Sequence, residues 1–236
     1  MRVIGLLGGM SWTSTLEYYR FINELVADKL GGLHSAPLIL YSFDFDEVQQ
    51  AQHEDRWDDT ITLLSQAGIA LKQAGADFLV ICSNTGNIVA DAVAEKCGLP
   101  LLDIVDVTGR AIKERGLGKV GLLGTRFIME GQFYRRRLQE RFGIDMLVPE
   151  EEERVKVHRI IYDELCQEKI KDYSRRIVIK IINGLIERGA EGIVLACTEL
   201  SLLIRSSDIP VPLFDTIYLH AEAAVKLALK NENHNL

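Results

Sequence analysis

The chain has 236 residues, of which 47% are hydrophobic and 26% are charged, and its formal net charge is −7. This composition is typical of a globular protein with one large or two small domains, and it excludes the fibrous and disordered classes. The acidic balance argues against a nucleic-acid partner. No apolar run reaches the roughly 20 residues that span a membrane. The four cysteines include no C-x-x-C pair, so we expect reduced thiols and a cytoplasmic protein.

The first half of the chain alternates strand and helix patterns. The strand VIGLLGG precedes a helix. A capping box at Ser14 and Glu17 is predicted to start this helix, and Gly31 is predicted to end it. There follow the strand PLILYSF, a helix over about 57–74 before Gly75, the strand DFLVIC, and a helix over about 87–96 before Gly98. Strands that are hydrophobic on both faces predict a parallel sheet covered by helices.

The second half repeats this order. It contains the strand KVGLLGT, a helix through 135–141, the strand IDMLV, two helices, and the strand GIVLAC. A final helix over about 217–230 leads into a polar tail, NENHNL, that we expect to be disordered.

The two halves also match residue by residue. RVIGLLGG matches KVGLLGTR, LKQAGADFLVICSNT matches LIERGAEGIVLACTE, and LPLLD matches VPLFD, in the same order and at nearly constant spacing. We therefore predict two similar doubly wound parallel-sheet α/β domains related by pseudo-twofold symmetry, with the active site in the cleft between them. The predicted domains are residues 1–103 plus 208–236, and residues 104–207.

The ends of the third strands indicate chemistry, because ligands of parallel sheets bind beyond the carboxyl ends of the strands. Cys82 matches Ala196, so it is predicted to be a buried strand residue, whereas Ser83 matches Cys197. Two proton-carrying side chains related by pseudo-symmetry suit the inversion of a stereocentre. One group removes the proton from one face and the other delivers a proton to the opposite face.

Cys197 is the stronger acid/base candidate. A thiol has a reference pKa of about 8.5. Because Cys197 lies at a strand-to-helix turn, we expect backbone N–H groups to favour its thiolate. The alternative is an ordinary buried cysteine, which is common in protein cores. The place of Cys197 in the repeat favours the catalytic role.

A family resemblance extends over nearly the whole chain. IGLLGGMSW, CSNT at 82–85 and GIVLACTE at 192–199 resemble the cofactor-independent aspartate/glutamate racemases, as do YSFDFDEVQQAQ, LLGTRFIMEGQFY, VHRIIYDELC and LFDTIYLHA. The resemblance implies two α/β domains with catalytic residues at their interface, no pyridoxal phosphate, no metal, and a homodimer. It also implies small acidic amino-acid substrates that paired cysteines deprotonate at Cα.

The sequence departs from that family pattern at two positions. Ser83 stands where the family has a cysteine, and Asn87 stands where it often has a histidine. Cys82 is not a simple replacement, because successive strand residues point to opposite faces. We therefore predict that Cys197 removes the proton from one enantiomer, with L favoured as substrate, while Ser83 donates from the other side. An engineered Cys-to-Ser change at position 83 stays open.

Substrate binding needs donors for carboxylates. Asn84, Thr85 and Thr198 are the predicted cradle of the α-carboxylate. By resemblance, the predicted site also includes Met10, Ser11, Gln52 and Thr125, and Glu199 is expected to orient the site or to favour a helix N-terminus. The structural alternatives are helix caps for Thr85 and Thr125 and a surface position for Gln52. His220 is predicted to be a structural histidine of the last helix.

Other functions remain open at this point. One alternative is a related maleate isomerase or hydantoin racemase-type isomerase, and another is a non-catalytic protein that binds acidic amino acids. A nucleotide-binding domain is disfavoured, because GLLGGM has neither the G-x-G-x-x-G pattern nor a Walker lysine. The sequence does not distinguish aspartate from glutamate.

Overall fold

The computed structural model describes residues 1–230. The NENHNL tail, for which we expected disorder, lies outside the described residues. The chain forms two units, Met1–Asp103 together with the chain from His220 onward, and Ile104–Leu219. Within residues 1–230, no helix is long and apolar enough to cross a membrane.

The first unit contains a parallel four-stranded sheet in the order β2-β1-β3-β4. Its strands are β1 (Ile4–Gly8), β2 (Leu38–Ser42), β3 (Phe78–Ile81) and β4 (Leu101–Leu102). Its helices are α1 (Trp12–Leu30), α2 (Phe45–His53), α3 (Trp57–Gln73) and α4 (Ala90–Cys97), with a 3-10 turn at Gly86–Val89. The central strands β1 and β3 are buried along their whole length, so both faces of the sheet are covered.

The second unit has the matching order β6-β5-β7-β8, again all parallel. Its strands are β5 (Lys119–Gly124), β6 (Asp145–Leu147), β7 (Gly192–Ala196) and β8 (Leu213–Asp215). Its helices are α5 (Ile104–Glu114), α6 (Arg126–Glu130), α7 (Gln132–Phe142), α8 (Glu151–Arg159), α9 (Asp172–Glu187) and α10 (Leu200–Leu203). A π-helical turn at Ile160–Glu164 and a 3-10 turn at Leu165–Gln167 follow α8, and α11 (Thr216–Leu229) leads from the second unit into the first.

The identical strand order confirms the prediction of two similar parallel-sheet α/β units. The division between the units differs from the predicted domain segment 104–207 at its end. Strand β8 pairs with β7, so the chain up to Leu219 folds with the second sheet. The pattern analysis also missed α2 and α5, whereas the predicted positions of the other helices and strands named above agree with the structure to within a few residues.

Matched acidic residues anchor the first strand of each unit. Asp77 Oδ2 accepts a hydrogen bond from the backbone N–H of Val3 at 2.6 Å. Its counterpart in the repeat, Glu191, accepts from the backbone N–H groups of Gly118 at 2.7 Å and Lys119 at 3.0 Å. The repeat seen in the sequence therefore reflects equivalent contacts as well as equivalent strands.

Matched glycines allow close packing at the same place in both sheets. A Cβ on Gly5 would lie 3.0 Å from Leu79 Cδ2, and a Cβ on Gly121 would lie 2.7 Å from Ile193 Cδ1. Leu79 and Ile193 are themselves counterparts in the repeat. A larger residue at either of these two glycine positions would have to displace the neighbouring side chain.

The start of α1 differs from the prediction. The helix begins at Trp12 with Ser11 as its N-cap, so the predicted capping box at Ser14 is wrong. Thr15 Oγ1 instead accepts from the Gly9 N–H at 2.8 Å and donates to the Ser11 carbonyl at 2.9 Å, which closes the turn between β1 and α1. Gly31 ends the helix as predicted.

His220 is the structural histidine that the sequence predicted. It is fully buried. Its Nε2 lies 2.9 Å from the Leu102 carbonyl oxygen and its Nδ1 lies 2.8 Å from Tyr18 Oη. Because a carbonyl only accepts, Nε2 carries the proton and Tyr18 donates to Nδ1. Burial lowers the pKa of His220 to about 4.

Replacing Gly9 with Ala should destabilise the protein more than replacing Gly31 with Ala. Both glycines have a positive φ, 86° at Gly9 and 73° at Gly31. A Cβ on Gly9 would lie 2.4 Å from backbone atoms of Phe43, whereas a Cβ on Gly31 would meet nothing within 4 Å. We expect losses of about 3 kcal/mol for Gly9→Ala and about 1 kcal/mol for Gly31→Ala in urea denaturation. Equal losses would contradict this account.

His220 should make stability depend on pH between about 6.5 and 4. The folded protein holds the imidazole neutral, so the unfolded chain takes up the proton first as the pH falls. The stabilisation present above pH 6.5 is then lost as the pH falls to 4, by about 3 kcal/mol. Between pH 7 and pH 4.5, the free energy of unfolding of His220→Asn, measured by urea denaturation, should fall by about 3 kcal/mol less than that of the wild type. The control is His34→Gln, at an exposed position; an equal reduction there would refute the assignment.

Candidate active site

Ser83 and Cys197 occupy matching positions in the two units. β3 ends at Ile81 and β7 ends at Ala196, and each strand is third in its sheet order. Ser83 and Cys197 follow these strand ends and are 8% and 6% exposed. Each side chain is therefore nearly buried at the carboxyl end of a central parallel strand, where ligands of such sheets bind.

Buried hydrogen bonds fix the Ser83 turn, which comprises residues 82–87. Ser83 Oγ accepts from the Gly86 N–H at 3.1 Å, so its O–H group remains the donor. Asn87 is fully buried, and its Nδ2 donates to the carbonyls of Ile81 at 3.1 Å and Ser83 at 2.7 Å. Asn87, noted in the sequence only as a departure from the family, thus holds the turn that carries Ser83.

Cys82 is a core residue, as the repeat predicted. Its backbone N–H continues the strand pairing to the Leu7 carbonyl at 2.9 Å, and its side chain is fully buried. Burial raises the pKa of the Cys82 thiol far above its ordinary value. Because its side chain is fully buried in the core, Cys82 does not occupy the position of the missing cysteine.

Met10 and Gln52 are both buried within the first unit. A Cβ on Gly86 would lie 3.5 Å from Met10 Sδ, so Met10 packs against the Ser83 turn. Gln52 lies on α2 and is 3% exposed, which excludes the surface alternative. Its buried Nε2 has no hydrogen-bond partner among the described residues. A buried donor of this kind is costly unless a ligand or water completes it.

The predicted hydroxyl and amide residues lie close to the ends of β1, β3, β5 and β7. Ser11 Oγ lies 2.7 Å from Thr13 Oγ1. Thr85 and Thr125 precede helical turns, but neither side chain makes a capping hydrogen bond, so the alternative of simple helix caps is not supported. All five of these predicted residues are buried: Ser11, Asn84, Thr85, Thr125 and Thr198.

The second unit gathers a thiol cluster, defined here as Tyr162, Cys166, Cys197, Thr198 and Glu199. Cys197 Sγ donates to Glu199 Oε2 at 3.2 Å, and Thr198 Oγ1 donates to the same oxygen. After burial, the charge of the Glu199 carboxylate is the next cause that raises the pKa of the Cys166 thiol. The Glu199 side chain does not cap α10. Its carboxylate instead accepts a hydrogen bond from the candidate catalytic thiol, that of Cys197.

The pKa of Cys197 is raised well above its ordinary value. Burial is the main cause, and the neighbouring Glu199 carboxylate adds to it. A backbone hydrogen bond from Glu199 does favour the thiolate, as expected, but it is the smallest contribution. The expectation of a lowered pKa is therefore wrong, because burial outweighs this donor. Burial also raises the pKa of Cys166 to about 12 and raises that of Tyr162.

Sequence reasoning missed Tyr162 and Cys166. Both lie in the π-helical and 3-10 turns that follow α8, and such turns have no periodic signature in a sequence. The available signal was the segment VHRIIYDELC, quoted above for its resemblance alone. His158, one turn earlier, packs against the Tyr162 ring at a centroid distance of 4.7 Å and lies 3.4 Å from the backbone nitrogen of Arg126.

All four cysteines are free thiols. Among residues 1–230, no group of three or more His, Cys, Asp or Glu side chains is arranged to hold a metal ion.

Comparisons with known proteins agree on one family. The profile of the Asp/Glu/hydantoin racemase family matches residues 7–224. A crystal structure of a putative Asp/Glu racemase from Yersinia pestis is 50% identical, with 98% of this chain and 100% of that chain covered and a TM-score of 0.92. An aspartate racemase homologue from Pyrococcus horikoshii is 34% identical at the same coverage, with a TM-score of 0.86. A broad specificity amino-acid racemase from Bacillus subtilis is 22% identical over 96% of this chain and 98% of its own length.

Glu199→Gln should make Cys197 more reactive. Removing the carboxylate charge lowers the pKa of the Cys197 thiol, because that charge opposes thiolate formation. We expect the alkylation of Cys197 by iodoacetamide at pH 8, followed by peptide mass spectrometry, to accelerate about tenfold or more. Glu187→Gln, an exposed change in the same unit, is the control. An unchanged or slower rate in Glu199→Gln would refute this electrostatic effect.

Proposed function

The chain belongs to the Asp/Glu/hydantoin racemase family, and from this premise we propose that it is a cofactor-independent racemase of aspartate and/or glutamate. The observation that carries the proposal is the matching position of Ser83 and Cys197 at the ends of β3 and β7. The likeness to a putative Asp/Glu racemase and to an aspartate racemase homologue supports the substrate class.

The proposed reaction moves the Cα proton between Ser83 and Cys197. Cys197, as thiolate, removes the proton from the L substrate, so the C–H bond breaks and an S–H bond forms. The carbanion is then protonated on its opposite face by the Ser83 O–H, which gives the D product and a serine alkoxide. Proton exchange with solvent returns both groups to their starting states.

This arrangement makes the two directions chemically unequal. A hydroxyl is a much weaker acid than a thiol, so the reverse reaction has to begin from a rare serine alkoxide. The free enantiomers have equal energies in water, so the equilibrium constant is one and kcat/KM must be the same in both directions. The asymmetry therefore appears in kcat, with the L form turning over faster at saturation and having the higher KM.

The buried polar residues are proposed to bind the substrate. Asn84, Thr85 and Thr198 hold the α-carboxylate, and the Nε2 of Gln52, which lacks a protein partner among the described residues, is a further donor for a carboxylate. Met10, Ser11 and Thr125 complete the proposed binding residues, and Glu199 orients the thiol through its hydrogen bond to Cys197.

Further properties belong to the same proposal. The family resemblance implies a homodimer and catalysis without pyridoxal phosphate or a metal, and the cysteine pattern of the sequence implies a cytoplasmic location. A hydantoin racemase-type or maleate isomerase activity and a purely binding role are the alternatives that the following experiment separates.

Incubation of the purified protein with L-aspartate or L-glutamate in heavy water should exchange the Cα proton and abolish optical rotation. Proton NMR and polarimetry follow the two changes. Cys197→Ala should lose both activities by at least 100-fold, because it removes the proposed base. Cys82→Ala, an adjacent core change, should retain them.

Each other outcome has a distinct meaning. Exchange without loss of rotation would show that Cys197 acts alone and that Ser83 does not deliver a proton. Equal kcat values from the D and L substrates would refute the asymmetric mechanism. No exchange with either amino acid would refute the proposal and direct the search to maleate, hydantoins or binding alone.

A further inference from the structure

Hydrogen bonds from Asn87 tie the Ser83 turn to the end of β3. The Asn87 Nδ2 donates to the carbonyl oxygens of Ile81 at 3.1 Å and Ser83 at 2.7 Å. The backbone N–H of Asn87 also donates to the Ser83 carbonyl, at 3.2 Å. Because Asn87 is fully buried, its side chain is shielded from water and these bonds hold the turn in one shape.

The shape of the turn places a backbone donor on the Ser83 hydroxyl. Gly86 directly precedes Asn87, and its N–H donates to Ser83 Oγ at 3.1 Å. The approach leaves little room for a side chain, since a Cβ on Gly86 would lie 2.9 Å from Ile81 Cγ2 and 3.4 Å from Ser83 Cβ. Asn87 fixes the turn at both ends, so the Gly86 N–H stays directed at the oxygen.

The Ser83 oxygen needs a donor of this kind when it loses its proton. Ser83 is 8% exposed, so little water can solvate a negative charge on its oxygen. In such a site an oxyanion is stabilised by hydrogen-bond donors that are in place before the reaction. A hydrogen bond also becomes stronger when its acceptor becomes charged. The contact from Gly86 is therefore worth more to the alkoxide than to the hydroxyl.

We propose that the Gly86 N–H stabilises the alkoxide of Ser83 during racemisation and that Asn87 is the positioning residue that directs this N–H. In the step concerned, the O–H bond of Ser83 breaks and a C–H bond forms at Cα of the carbanion. The electron pair of the broken bond stays on Oγ, and the Gly86 proton stays on its nitrogen. The inference rests on the proposed function, which assigns Ser83 the role of acid.

The proposed reaction contains an internal measure of how well Ser83 delivers its proton. In heavy water, a carbanion that takes a deuteron back from Cys197 returns as exchanged L substrate. A carbanion that is protonated by Ser83 becomes D product. The ratio of D product to exchanged L substrate therefore compares the two donors on the same intermediate. A loss of folded protein lowers both products equally and cancels from the ratio.

The test measures this ratio with L-aspartate in heavy water, by proton NMR and chiral chromatography. Asn87→Leu removes the amide donor, whereas Asn87→His keeps an N–H donor and introduces the residue that the family often has at this position. The ratio should fall about tenfold or more in Asn87→Leu, because a donor to a charged acceptor is misdirected. It should stay within about threefold of the wild type in Asn87→His.

Asn23→Leu is the matched control. The Asn23 side chain also makes two hydrogen bonds in the first unit, to the Tyr19 carbonyl at 2.8 Å and from the Ala36 N–H at 3.0 Å. Its loss should leave the ratio unchanged. An unchanged ratio in Asn87→Leu, or an equal fall in Asn87→His or in the control, would overturn the inference.

A second measurement requires no substrate. Hydrogen exchange of the Gly86 amide, followed by NMR, should accelerate about tenfold or more in Asn87→Leu and stay near the wild-type rate in Asn87→His. Equal protection in all three proteins would overturn the positioning role of Asn87. If the wild type exchanges no Cα proton, the proposed function fails and the alkoxide role fails with it. The amide exchange then still decides whether Asn87 directs the Gly86 N–H.

Discussion

At the end of β7, a buried thiol donates a hydrogen bond to a buried carboxylate, with 3.2 Å between Cys197 Sγ and Glu199 Oε2. Burial disfavours a second negative charge, and the charge on either partner opposes ionisation of the other. A negative charge on Glu199 therefore opposes the formation of a thiolate on Cys197, in addition to the larger effect of burial. A proton that moved from the Cys197 thiol to the Glu199 carboxylate would relocate a charge within the pair and would add none to a site poorly solvated by water.

The matching position in the first unit has the opposite character. Ser83 carries a neutral hydroxyl, and its turn is fixed by the Gly86 N–H and by the two hydrogen bonds of Asn87. Nothing in that turn resembles the coupled thiol and carboxylate of the second unit. One architecture thus repeats at the level of strands, glycines and anchoring carboxylates, while the chemistry of its two strand ends differs. This difference is the structural basis of the proposed asymmetric proton transfer.

The fold was predictable because the repeat records local packing constraints. Gly5 and Gly121, like Asp77 and Glu191, are matched in sequence because they make matched contacts. The same alignment placed Cys82 in the core and Ser83 opposite Cys197. The start of α1 was predicted wrongly because several neighbouring hydroxyl residues could each have served as the N-cap of the helix. The pattern GLLGGMSW does not show that Thr15 bonds back to Gly9.

The electrostatic state of the site was not predictable, because it depends on contacts distant in sequence. Cys166, whose pKa is affected by the charge of Glu199, lies in an irregular helical segment, which leaves no hydrophobic period to recognise. The pKa of Cys197 was expected to be low from its strand-to-helix position, but burial outweighs the backbone donor. A motif identifies which group carries the proton, whereas desolvation decides how readily the proton leaves.

Unequal acid/base groups do not set the direction of a racemisation. Because the two enantiomers have equal free energies in water, stronger binding of one form must be offset by slower turnover of that form. A mechanism that uses a strong thiol base and a weak hydroxyl acid can therefore raise kcat for the L substrate only if its KM rises in proportion. Net formation of a D-amino acid then depends on the supply of the L form and the removal of the D form. In the proposed reaction, Ser83 and Cys197 determine how the proton moves, and the concentrations of the two enantiomers determine which way the reaction runs.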